Sequence, residues 1–185
     1  MNQDYSNYLR FLKGDAAGLE ALVETYNKTL IFFLNTYVHD LTVAEDLAAE
    51  TFFELVVKKS RFKPNFSFKT WLFRIGRNNA IDYLRKQKRR NHVAFHEIEE
   101  TLDHTQNLDE HIIQDERKNQ LLCAMSHIAE QYRDILYLIY FEDMSYVDAG
   151  IVMKKSEKQI KNLVYRAKLA LKQALEMEGF CYENY

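Results

Sequence analysis

A single proline, Pro64, and five glycines in 185 residues leave this chain few places to turn. These two residue types are the strongest interrupters of regular pattern, so their scarcity predicts long helices with short joins. No alternating apolar–polar run bounded by turn residues occurs, which argues against strands. Apolar residues make up 47% of the chain, enough for a real core, and the length suits one large domain or two small ones. The expected fold class is all-α.

The most informative stretch is 66–90, FSFKTWLFRIGRNNAIDYLRKQKRR. Phe68, Trp71, Leu72 and Ile75 fall at i, i+3, i+4 and i+7 and share one helical face. Arg74, Arg77, Arg85, Lys86, Lys88, Arg89 and Arg90 oppose a single acid, Asp82. A helix that buries aromatics on one side and offers this much positive charge elsewhere suits a polyanion. Asn78, Asn79 and Asp82 lie among the cations and add directional hydrogen bonds that charge alone does not supply. Trp71 is more often core than base-stacking platform at such spacing, while the loop carrying Phe66 is suited to frame a base.

Elsewhere the periodicity predicts helices over 3–13, from an Asp15 cap to Val38, from a Thr42–Glu45 capping box to Lys59, and over 67–88. In the third of these Leu47, Phe52, Leu55 and Val56 should face inward. Residues 60–66 form a connector. Helical pattern resumes over 112–125 and 130–141, the latter with Tyr132, Ile135, Leu136 and Ile139 inward. Ser145 caps a short helix to 153, Lys154-Lys155 turns the chain, and a Ser156–Gln159 capping box starts a longer helix to about Met177. That order is a helix-turn-helix pattern. Ile160, Val164, Ala167 and Leu171 mark its buried face, and Lys158, Lys161, Asn162, Tyr165 and Lys168 point out. The basic outer face fits duplex DNA, with Lys161, Asn162, Tyr165 and Arg166 as groove contacts, and fits a solvated surface equally well. Gly150 permits the two helices to pack closely.

The net charge of −2 conceals segregation. Residues 40–54 carry Asp40, Glu45, Asp46, Glu50 and Glu54 with no Lys or Arg, and 96–116 carry eight acids with none. Residues 154–172 carry seven cations against Glu157. Such blocks predict separate surfaces for separate partners. Two distant cysteines, Cys123 and Cys181, suit a reducing cytoplasm and form no zinc spacing. The polar start and the lack of a long apolar run predict neither secretion nor membrane spanning. His92 and His96 stand at i, i+4 in the acidic segment, which is weak support for a metal. No glycine-rich phosphate loop, nucleophile elbow or triad is present, so no catalytic residue, cofactor or metal is expected and the chain reads as a non-enzyme.

The stretches AEDLAAETFFEL (44–55), FKTWLFRIGRNNAIDYLRKQKR (68–89) and IAEQYRDILYLIYFEDMSYVDAGIVMKKSEKQIKNLVYRAKLAL (128–171) together resemble an extracytoplasmic-function (ECF) sigma factor of the sigma-70 family. The resemblance implies two small helical domains, residues 1–90 and 112–185, joined by a flexible acidic linker over 91–111. It implies promoter recognition, DNA melting and transcription initiation with bacterial core RNA polymerase. Asp40, Glu45, Asp46, Glu50, Thr51 and Glu54 would contact the polymerase β′ clamp coiled coil. Arg61, Lys63, Phe66, Lys69, Arg74, Arg77, Asn78, Asp82, Arg85 and Lys86 would hold the −10 element, with one base of the melted non-template strand flipped near Asn78. Lys158, Gln159, Lys161, Asn162, Tyr165 and Arg166 would read the duplex −35 element while the same domain docks on the β flap. Twenty-one linker residues reach at most about 70 Å, roughly 20 base pairs of duplex, so both elements can be held together. The implied protein is a cytoplasmic monomer, with an anti-sigma factor as a further candidate partner. Three alternatives compete: a free-standing helix-turn-helix regulator, marked by dimerisation on a palindrome, a nucleic-acid enzyme, and a helical adaptor.

Overall fold

The computed structural model describes residues 3–57, 66–94, 121 and 123–177, and among them every regular element is helical. The chain divides into two compact units near residue 104. The first holds α1 (Gln3–Leu12), α2 (Ala16–Val38), α3 (Leu41–Val57) and α4 (Phe68–Ala94). In the C-terminal part follow α5 (Glu130–Leu136), a π-helical turn (Tyr137–Phe141), α6 (Tyr146–Met153) and α7 (Glu157–Met177). The connector at 60–65, most of the expected linker and the expected helix start at 112 lie outside the described residues. α4 continues to Ala94, beyond the helix end expected at 88.

Short polar signals set the helix starts. Asp15 caps α2 by accepting from the Ala17 N–H at 3.1 Å. His39 closes α2 in the left-handed region (φ 53°), its N–H on the Asn35 carbonyl. The turn is so short that the next residue must open α3. Asp40 Oδ1 accepts from the Val43 N–H at 3.1 Å, and its carbonyl accepts from Ala44. Asp40 therefore replaces the expected Thr42–Glu45 box, since an aspartate caps as well as a threonine and already stands at the turn. Ser67 starts α4 by accepting from the Thr70 N–H at 3.0 Å.

Aromatic and aliphatic side chains from all four helices fill the first core. Leu22, Leu30, Phe33 and Leu34 of α2 meet Ala44, Leu47, Ala48 and Leu55 of α3 and Phe68, Leu72, Phe73 and Ala80 of α4, all buried. Tyr8 of α1 packs 5.5 Å from Phe68 and edge-on to Trp71 at 5.6 Å. Trp71 is thus a core residue. Burying an aromatic side chain is worth about 1.5–3 kcal/mol, so this cluster fixes how α4 is rotated. Val56 does not face inward as expected. The stripe Leu47, Ala48, Thr51, Phe52 and Leu55 already fills the buried face of α3, and Val56 falls at its edge, exposed.

In the C-terminal part, α5 gives way to the π turn directly after Leu136. The wider turn changes the register, so Tyr137 and Leu138 are buried, whereas Tyr132 and Ile139, expected inward, are only half-buried. Burial, helped by the Glu142 carboxylate it hydrogen-bonds, pushes the Tyr137 phenol well above its usual range, so it remains a donor. Ser145 caps α6 by accepting from the Asp148 N–H. Lys154 turns the chain in the left-handed region (φ 56°) and Lys155 donates its N–H to the Gly150 carbonyl at 2.9 Å. Ser156 and Gln159 form the expected reciprocal box at 2.8 and 3.3 Å. Ile160, Leu163, Val164 and Ala167 are buried on α7, and Leu171 is half-buried.

Two glycines let backbones meet. A Cβ on Gly18 would collide with the Asn7 carbonyl and lie 2.8 Å from the Phe11 nitrogen, where α1 crosses α2. A Cβ on Gly150 would lie 2.7 Å from the Lys155 carbonyl oxygen. Helix propensity alone predicts that alanine at either site stabilises by about 1 kcal/mol. The backbone clash reverses the sign: Gly18→Ala and Gly150→Ala should each destabilise by roughly 1–3 kcal/mol, measured by urea unfolding followed with circular dichroism.

Candidate nucleic-acid and partner interfaces

With the aromatics of α4 buried against α2, its remaining surface carries the cations. Arg74, Arg77 and Asn78 are half-buried, and Asp82, Arg85, Lys86 and Lys88–Arg90 are exposed. Arg85 pairs with Asp82 at 3.3 Å, both ends well exposed. Such an i, i+3 pair is worth only about 0.2–0.5 kcal/mol, so an incoming phosphate or base displaces it at small cost. Arg74, Arg77 and Lys86 have no ion-pair partner among the described residues. Lys69 sits over the Phe73 ring at 5.9 Å. Arg77 Nε donates to the Tyr37 hydroxyl at 3.1 Å. Phe66 is half-buried just ahead of the helix. Arg61 and Lys63 lie outside the described residues.

The two asparagines part company. Asn79 Nδ2 donates to Thr51 Oγ1 at 3.3 Å and ties α4 to α3. Asn78 makes no side-chain hydrogen bond to any described residue. Asn79, which the sequence groups with Asn78 and Asp82 as a base reader, is instead a packing residue.

On α3, Glu45, Asp46 and Glu50 are exposed and Glu54 is half-buried. One expected member of this surface needs correction. Thr51 is 0% exposed, and its hydroxyl donates to the Leu47 carbonyl at 2.7 Å. The small hydroxyl fits beneath α4 because the helix supplies its acceptor, so Thr51 faces the core and not a partner. Asp40 spends one carboxylate oxygen on the α3 cap. What sequence reasoning missed is apolar: Ala49 is exposed, and Phe53 and Val57 are 65% and 63% exposed, at i, i+4 and i+8 on α3. The available signal is the helical wheel: with Leu47, Phe52 and Leu55 inward, Phe53 falls on the opposite side of α3, beside Ala49 and Val57. An apolar strip flanked by carboxylates suits a basic amphipathic partner.

On α7, Lys158, Gln159, Lys161, Asn162, Tyr165 and Arg166 are all exposed, Tyr165 at 73%. Lys161 bonds Glu157 at 2.7 Å, and that hydrogen bond raises the basicity of its ammonium. Gln159 gives its carbonyl oxygen to the capping box, so only its amide hydrogens remain for a ligand. Lys168 hydrogen-bonds Tyr140 and stands 5.1 Å from that ring. No cluster of His, Cys, Asp and Glu suited to a metal occurs among the described residues, and no described helix is long and apolar enough to cross a membrane.

Residues 22–90 match the Sigma-70 region 2 family and residues 118–171 match Sigma-70, region 4. The chain is 30% identical over 154 residues to the ECF RNA polymerase sigma factor SigM of Bacillus subtilis, covering 83% of this chain and 93% of SigM. It is 27% identical over 182 residues to the RNA polymerase sigma-H factor of Pseudomonas aeruginosa, covering 94% of each. Among solved structures the fold is similar to the sigma factor RpoE, crystallised with the anti-sigma factor NepR from Bartonella quintana. The TM-score is 0.69 at 23% identity, covering 85% of this chain and 96% of that one. It is also similar to CnrH, solved with the cytosolic domain of CnrY, with a TM-score of 0.68 at 20% identity, covering 95% and 99%. Matches to both sigma regions displace the free-standing regulator, which would need only the second. The chain belongs to the ECF sigma factors of the sigma-70 family, subunits that bring RNA polymerase to promoter DNA and start transcription.

Proposed function

We propose that the two units divide promoter recognition between them. The N-terminal unit, 1–90 extended by the end of α4, docks on the β′ clamp coiled coil through α3 and holds the melted −10 element on α4. The C-terminal domain, 112–185, reads the duplex −35 element through α7 and meets the β flap, and the acidic segment between them spans the distance. The observation that carries this reading is the Asn78 carboxamide, which bonds no described residue, beside Arg74 and Arg77, which have no ion-pair partner among the described residues. Opening base pairs costs free energy, and capturing an exposed base by stacking and hydrogen bonds offsets part of it. Cations on α4 and α7 add salt-dependent phosphate affinity that carries no sequence information.

The docking face on α3 combines Glu45, Asp46, Glu50 and Glu54 with Phe53 and Val57. Carboxylates steer a basic partner and set orientation, and desolvated aromatics hold it. RpoE and CnrH are each solved with a partner named in their complexes, NepR and the cytosolic domain of CnrY. An anti-sigma factor covering the α3 face would compete directly with polymerase. The protein acts in the cytoplasm as a monomer, since an asymmetric promoter requires no two-fold axis.

Asn78→Ala should weaken holoenzyme binding to the −10 non-template strand about tenfold, as expected for removing a bidentate amide. Its affinity for core polymerase should stay within about twofold and its stability within about 0.5 kcal/mol, as for a surface change. Equal losses in both binding assays would defeat the assignment. Phe53→Ala should do the reverse. Core binding falls about tenfold or more, strand binding by assembled holoenzyme is unchanged, and the free protein melts like the parent. Removing Lys158 or Arg166 should flatten the salt dependence of duplex binding by about 0.9 in log–log slope for each phosphate that is no longer neutralised. An unchanged slope in titrations across salt would exclude them from the −35 interface.

A further inference from the structure

Lys69, Phe73 and Arg77 fall at i, i+4 and i+8, one stripe of α4, and this stripe rests on α2. The Phe73 ring packs 5.1 Å from Phe33, and Phe33 packs edge-on to Tyr37 at 5.3 Å. Each end of this aromatic ladder carries a cation: the Lys69 amine lies 5.9 Å from the Phe73 centroid, and the Arg77 guanidinium carbon lies 5.9 Å from that of Tyr37. Tyr37 is only 3% exposed and cannot itself bind a ligand. Its hydroxyl accepts from Arg77 Nε at 3.1 Å. That bond uses the inner nitrogen of the guanidinium and leaves the two terminal nitrogens with their hydrogens. No ion pair neutralises Arg77 among the described residues.

We infer that Tyr37 is a positioning residue for promoter-strand binding: it clamps Arg77 by Nε so that the terminal edge of the guanidinium is preset to take a phosphate bidentately. A free arginine loses much rotamer freedom on binding, whereas one already held by a buried hydroxyl loses less. A phosphate accepts from two parallel N–H groups on that edge. Lys69 at the other end of the ladder lies about 12 Å away along the helix axis, so the same ladder aligns two cations along one strand. Nothing in the sequence pairs Tyr37 with Arg77, because the two are forty positions apart on different helices. The inference rests on the reading that α4 lies along the melted strand.

The test is Tyr37→Phe, which keeps the ring and removes only the hydroxyl. Holoenzyme is assembled from the full chain and core polymerase. It is then titrated with a fluorescein-labelled single-stranded oligonucleotide carrying the non-template sequence of a promoter it transcribes, over a series of salt concentrations. The variant should melt like the parent and bind core with unchanged affinity. It should bind the strand about three- to tenfold more weakly, as for the loss of one hydrogen bond. Its log–log salt slope should be shallower by up to about 0.7, the single-strand value for one phosphate. Arg77→Lys should match it, and the double variant should be no worse than either. Unchanged affinity and slope in Tyr37→Phe, with Arg77→Ala impaired, would overturn the positioning role. A lowered melting temperature with proportionate loss of core binding would overturn it too, because Tyr37 would then be only a packing residue. If the parent chain binds core but the resulting holoenzyme does not bind the strand, the reading beneath the inference fails first.

Discussion

The aromatic face of α4 buried against α1 and α2 is the constraint on which the first unit depends. Phe68, Trp71, Leu72 and Phe73 are all enclosed, and together they outweigh any single surface interaction by several kcal/mol. Once they are inside, the rotation of α4 is decided, and with it the outward direction of Arg74, Asn78, Asp82 and Arg85. The cations and carboxamide of α4 are therefore displayed by the core and not by loops. The Thr51–Asn79 bond adds a second tie, from the helix that carries the acidic face to the helix that carries the basic one. One rigid unit thus presents two surfaces of opposite charge.

The C-terminal helix pair reaches a similar end by backbone means. Its turn is held by the left-handed Lys154, by the close approach at Gly150 and by the reciprocal Ser156–Gln159 cap. These are local interactions. The exposed row Lys158, Lys161, Asn162, Tyr165 and Arg166 follows from the buried row Ile160, Val164 and Ala167 by helical geometry alone. Lys161 is already paired with Glu157, an exposed ion pair of small worth that a phosphate can replace.

What is legible in the sequence and what is not follows the range of the interactions involved. The caps at Asp15, Ser145 and Ser156 are legible because capping is decided within four residues. The core role of Trp71 follows from periodicity. Asp40 misleads because its capping role depends on how sharply α2 ends, a feature set by His39 in the left-handed region. Only the resemblance places Thr51 on the partner surface, whereas in the fold its bonds to Leu47 and Asn79 satisfy it internally. The π turn after Leu136 has no local signature at all. Phe53 is legible in principle, since helical spacing from the inward Leu47, Phe52 and Leu55 puts it on the opposite side of α3. The Tyr37–Arg77 bond is not, because only the packing of α2 on α4 brings those residues together.

On the proposed reading, α4 presents a surface for one exposed DNA strand and not for duplex DNA at large. The most direct measurement compares the affinity of assembled holoenzyme for the two separated strands of the −10 region of a promoter that it transcribes. The account predicts marked preference for the non-template strand, because Asn78 and the cations around it meet bases in one orientation. Equal affinity for both strands, or affinity for the closed duplex alone, would contradict it.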